Sequence, residues 1–137
     1  IELQNISNKQ VNLFESSFAE GIGFDFRKSN RVTLRPKEVI LIVSNKEAFE
    51  LRHGTGLPLA GTYQGRLDNN GEQLLLRDFS QNIIKEFSYR DASPWPEKAD
   101  GQGFSLELIN PFTNPDHKET TSWTASRTVG GTHGVGV

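Results

Sequence analysis

Three observations predict an all-β fold, a sandwich or barrel, with one short helix. Apolar and polar residues alternate in a series of short stretches, at the period that sends successive strand side chains to opposite faces. Thirteen glycines and six prolines punctuate those stretches, as short-stranded β proteins require. Hydrophobic residues make up 34% of the 137, and the mean hydropathy of −0.52 suits strands that bury only one face.

Strand patterns fall at 1–5, 10–13, 22–26, 31–34 and 38–43, and again at 62–67, 73–77, 82–89, 104–109 and 122–126. Asn69-Asn70-Gly71 reads as a type I′ hairpin turn joining 62–67 to 73–77, because that turn needs positive φ at its centre. Ser80-Gln81-Asn82 supplies a second, weaker turn before Ile83, and Arg35-Pro36-Lys37 separates Leu34 from the next strand. One helix interrupts the series over 45–53. Ser44 is expected to cap it, with Glu47 completing a capping box. Ala48, Phe49 and Leu51 would supply its apolar contacts, and Gly54 would end it.

The most informative segment is 91–111. Pro94 and Pro96 fix φ on both sides of Trp95. The chain then turns at Asp100-Gly101-Gln102-Gly103, where the glycines permit positive φ. In the strand that follows, Phe104, Leu106 and Leu108 share one face, and Ser105 and Glu107 the other.

Length fits a single domain over 1–128, followed by a Gly-rich stretch at 129–137 that reads as an exit linker or a last edge strand. The net charge of −2 favours neither a polyanion nor an anionic membrane as partner of the whole molecule. No apolar run approaches the roughly 18 residues of a membrane span. Cysteine is absent, which removes disulfides, thiolate metal sites and a cysteine nucleophile. Methionine is absent too, so the chain is expected to be a piece of a longer polypeptide whose leader, if any, lies upstream.

The proline-clamped tryptophan leading through a glycine turn into an alternating strand resembles the lamin-tail domain family in its bacterial style. Ile1-Glu2-Leu3-Gln4-Asn5, Gly21-Ile22-Gly23-Phe24-Asp25-Phe26 and the rhythm of 61–78 are similar to further motifs of that family. Trp123 and Gly130-Gly131-Thr132 resemble its closing elements, with His133 standing where proline is usual. The family usually has one more strand ahead of the Ile-Glu-Leu motif. The resemblance implies an immunoglobulin-like sandwich that serves as a non-catalytic structural or adhesive module in a larger exported or cell-surface bacterial protein. It assigns architectural roles to Pro94, Trp95, Pro96, Asp100, Gly101, Gly103, Leu106, Leu108 and Trp123. It implies no catalytic residue and no cofactor, a protein or cell-surface polymer as partner, and a monomer for the isolated domain.

Other residues that could carry chemistry have plainer readings beside it. His53, His117 and His133 have no metal-site spacing, and His53 suits the dipole at a helix C-terminus. No nucleophile elbow or phosphate loop occurs. Asp91, Glu97 and Asp100 offer oxygen ligands for calcium, yet Asp100 before Gly101 is also what an ordinary turn wants. Arg27, Lys28, Arg31 and Arg35, with Lys37, form the one dense basic stretch. They read as a solvated strand face more readily than as a nucleic-acid site. Trp95 and Trp123 invite sugar stacking, against the reading of both as core, and Tyr63 and Tyr89 fit either.

Overall fold

The structure is a computed structural model that describes residues 1–131 and residue 134. In chain order the strands are β1 (Glu2–Gln4), β2 (Val11–Asn12), β3 (Ser17–Glu20), β4 (Ile22–Asp25), β5 (Thr33–Leu34) and β6 (Val39–Val43). Helix α1 (Lys46–His53) follows, then β7 (Leu59–Thr62), β8 (Gln64–Gly65), β9 (Gly71–Arg77), β10 (Ile83–Arg90), β11 (Leu106–Leu108) and β12 (Trp123–Ala125). The fold is all-β with one short α-helix, as the sequence predicts.

The larger layer is a five-stranded antiparallel sheet in the order β10-β9-β3-β4-β8. Opposite it stands a three-stranded sheet in the order β1-β6-β7. Here β1 runs antiparallel to β6, with Leu3 opposite Ile40, whereas β7 runs parallel to it. Two ribbons, β2 with β5 and β11 with β12, complete the fold.

Alternation decides what meets between the layers. Ile40 and Ile42 of β6 and Ala60 of β7 join Phe18, Ile22, Leu74 and Leu76 from the larger sheet. Leu13 and Leu34 add the ends of the first ribbon. Phe26 is fully enclosed and receives the edge of Phe24, with ring centroids 4.9 Å apart at 85°. The buried polar side chain Asn5 uses its full bonding capacity. Its Nδ2 donates to Lys9 O (2.7 Å) and Leu34 O (3.0 Å), and its Oδ1 accepts from Ser7 N (3.0 Å) and Ser7 Oγ (2.8 Å).

Several expectations are corrected. The stretch 62–67 is split between β7 and β8, and β8 pairs with β4. The turn at Asn69-Asn70-Gly71 therefore leads from one edge of the larger sheet to β9 in its interior and closes no hairpin. Positive φ occurs there at Gly71 alone. The second turn does close a hairpin, between β9 and β10, with Gln81 at φ 67°. Strand β3 was not foreseen. Its only buried residue is Phe18, and it turns into β4 through Gly21 at φ 82°, where a Cβ would lie 2.5 Å from Gln73 O.

The helix cap lies one residue later than expected. Asn45, not Ser44, is the N-cap, with its side chain accepting from Ala48 N at 2.9 Å. That places Ala48 at the third helical position, so no capping box with Glu47 forms. Gly54 ends the helix at φ 87°. Leu51 and Ala48 are exposed, and Phe49 is the half-buried apolar residue of the helix.

Truncating Ile42, which is fully buried between the layers, should cost about 2–5 kcal/mol. Urea unfolding of Ile42→Ala measures this. A loss below about 0.5 kcal/mol would mean that the side chain behaves as a surface group.

Candidate interaction site

The smaller layer is built in two pieces, β1-β6-β7 and the β11-β12 ribbon, which belong to separate sheets. Between them lies a groove of about 930 Å³. Leu74 and Leu76 of β9 and Phe87 of β10 line it from the larger sheet, Leu3 from β1, and Leu106 and Leu108 from β11. Every residue from Ile1 to Ser7 borders it, so residues from both faces of β1 reach the groove, as happens where a groove runs along a strand edge. Asp68, Asp91 and Asp100 stand on its polar margin.

An aromatic corner closes the ribbon side. Trp123 stacks on Phe87, with centroids 5.0 Å apart at 29°, and meets Trp95 at 6.0 Å. His117 packs edge-on against both Phe87 and Trp123, at 5.5 Å from each. Trp123 Nε1 donates to His117 O at 2.9 Å, so the polar tip of the half-buried ring is satisfied. His117 Nδ1 lies 2.9 Å from Pro115 O, a contact that favours the tautomer with the proton on Nδ1. Burial of the imidazole, helped by the Lys85 charge, pushes its pKa below the ordinary histidine value, against the Pro115 carbonyl and Asp116. No local pattern announces that His117 and Phe87 belong to this corner, because their meeting depends on how the ribbon folds back over β10.

The motif residues of 91–111 fall into place around it. Trp95 is buried, with Pro96 half-buried and Pro94 exposed at its sides. Gly101 and Gly103 take φ of 68° and 82°. Phe104, Leu106 and Leu108 are half-buried. Asp100 ends a 3-10 turn over Glu97–Ala99 and is exposed. Among the described residues no group of three or more His, Cys, Asp or Glu side chains is placed to hold a metal ion, so Asp91, Glu97 and Asp100 do not converge.

Arg27, Lys28, Arg31 and Arg35 are all exposed, while Val32 is half-buried and Leu34 buried between them. Of the four, Arg27 has its guanidinium at hydrogen-bond distance from a carboxylate. Arg27 makes a bidentate contact with Asp25, Nη2 to Oδ2 at 2.6 Å and Nε to Oδ1 at 3.1 Å. That guanidinium, with the Arg27 backbone N–H, holds the Asp25 carboxyl below the usual carboxylate range. Arg35 faces Glu38, whose Oε2 accepts from Arg35 N at 2.7 Å. No helix in the described residues is long and apolar enough to cross a membrane.

Two described glycines of the tail are bonded to the domain. Gly130 N donates to Gly103 O at 2.6 Å, and Gly134 N to Glu2 Oε2 at 2.8 Å. The expectations for Thr132 and His133 lie outside the described residues.

Compared with protein families, curated proteins and solved structures, the chain matches none. The likeness to lamin-tail domains rests on the motifs quoted above.

Trp95→Ala removes a buried indole from this corner and should cost about 3–5 kcal/mol in denaturant unfolding. Wild-type stability in that variant would mark Trp95 as a surface group.

The histidine corner also gives a pH dependence. The folded state holds His117 below its unfolded pKa, so its contribution is fully present above about pH 6.5. As pH falls below that value the unfolded chain takes up the proton first, and stability declines until the lower folded pKa is passed. Unfolding free energies measured across this window should slope less in His117→Gln. An unchanged slope would remove the histidine from the account.

Proposed function

We propose that this domain is a non-catalytic interaction module of the lamin-tail kind, with a structural or adhesive role in a larger exported or cell-surface bacterial protein. The observation that carries the reading is the apolar groove beside β1, the terminal strand of its sheet. Such a groove suits an extended protein segment. Backbone pairing along the strand edge supplies affinity, and alternate side chains drop into the apolar trough. The domain acts as a monomer toward that segment and uses no cofactor.

The side-chain geometry favours this reading over its two rivals. A sugar-binding surface wants a broad aromatic face in water, yet Trp95 is only 7% exposed and Trp123 is engaged by Phe87, Trp95 and His117. A nucleic-acid surface wants arginines at liberty to meet phosphates, yet the Arg27 guanidinium is paired with Asp25 and the whole chain carries a net charge of −2.

The test is titration calorimetry against short peptides of alternating apolar sequence. Saturable binding is expected, weakened about tenfold or more, roughly 1.4 kcal/mol, by Leu106→Glu or Leu108→Glu variants whose far-ultraviolet circular dichroism is unchanged. Binding that ignores both substitutions would move the contact away from the groove, and affinity for glycans alone would replace the reading.

Nucleic acid supplies a separate check. At physiological salt, fluorescence anisotropy with duplex DNA should show no saturation below about micromolar concentrations. Tight binding abolished by joint replacement of Arg31 and Arg35 with alanine would reverse the order of the readings.

A further inference from the structure

We propose that Asn70 is a self-modification site, converting to aspartate and isoaspartate through a cyclic imide formed with the Gly71 nitrogen. Three observations meet at this turn. No other asparagine in the chain precedes a glycine, the residue that least obstructs attack by the following amide nitrogen. Asn70 is exposed, and among the described residues its side-chain amide makes no hydrogen bond, the turn being held instead by Asn70 N donating to Asp68 Oδ1 at 2.8 Å. The N–H of Gly71 donates to Asp68 O at 3.3 Å, beyond the usual range for such bonds.

The fold also prevents escape from this pairing. Gly71 has φ 122°, and a Cβ there would lie 2.4 Å from Tyr89 O. The tight approach of β9 to β10 therefore demands glycine at the position where glycine makes the asparagine reactive.

The chemistry balances without any oxidant. The Gly71 nitrogen loses its proton and attacks Asn70 Cγ, and the new C–N bond closes a five-membered imide as the side-chain nitrogen leaves as ammonia. Water then opens the ring. Cleavage at the Cγ–N bond gives aspartate, and cleavage at the backbone carbonyl gives isoaspartate, whose main chain runs through the former side chain. The net change is one water consumed, one ammonia released and one negative charge gained.

That charge arises between Asp68 and Glu72 in the chain, and Tyr89 Oη donates to Asp68 O at 2.7 Å. Burial, with Glu72 and Asp68 nearby, already pushes the Tyr89 phenol up to about 12. Asp68, Asn69 and Tyr89 border the groove, so conversion adds a charge one residue away from its margin.

Incubating the whole folded chain at mildly alkaline pH and physiological temperature, with and without urea, tests the proposal. Isoelectric focusing follows the acidic shift, and mass mapping of the tryptic peptide 67–77, with enzymatic methylation of isoaspartate, locates it. One acidic species is expected from the folded protein, arising at Asn70 faster than at any other asparagine, sooner as pH rises, and missing from Asn70→Gln. Conversion seen in urea but not in the folded chain would overturn the proposal, because the turn would then protect the residue. So would first conversion at Asn69 or elsewhere.

Discussion

The fold depends on the enclosure of β6. All five of its residues are buried, and its two edges are taken by β1 and β7. A strand covered on both faces and both edges leaves no side of itself to water, so its neighbours are determined by it. Ile40 and Ile42 set the spacing to the larger sheet, and the β1 and β7 registers follow from where the backbone groups of β6 stand. The chain delivers this strand through Pro36 and takes it away through a helix capped by Asn45, so its length is fixed by punctuation on both sides.

The rest of the smaller layer is held differently. The β11-β12 ribbon joins no other strand by a ladder in the described residues, and rests on β10 through the contact of Trp123 with Phe87. Side-chain stacking can seat a ribbon at a variable distance, whereas backbone pairing fixes neighbouring strands about 4.8 Å apart. The groove is the space left between these two modes of attachment. Its walls are apolar because they belong to faces that would otherwise be core.

The parts of this arrangement that were legible in the sequence are those encoded locally. The run at 39–43, the β9-β10 hairpin around Gln81, the helix stop at Gly54 and the glycine turn at 101–103 all follow from residues within a few positions of one another. The failures are long-range or one-residue effects. Nothing near Asn70 announces that β8 pairs with β4 and not with β9, because strand partners are chosen by packing across the whole sheet. Ser44 and Asn45 are both good caps, and only the backbone geometry of the folded chain decides between them. The chemistry of Leu51 alone suggests the packed face, yet it is exposed and Phe49 is the half-buried apolar residue of the helix. The groove was invisible for the same reason as the aromatic corner: both arise from where the ribbon comes to rest.

Asn5 gives the domain a mechanical character. Its amide joins the end of β1 to Leu34 of β5 and to the loop through Ser7 and Lys9, next to the backbone bond from Asn5 N to Glu38 O. Tension drawn along β1 meets this knot and the β1-β6 ladder together, so the load is shared in parallel and the bonds do not open one by one. A module fixed at this end resists shear as a rivet does. Resistance of that sort is governed by the rate of unfolding and not by equilibrium stability. Two variants of equal stability, one cut at Asn5 and one in the distant core, would therefore yield at different forces.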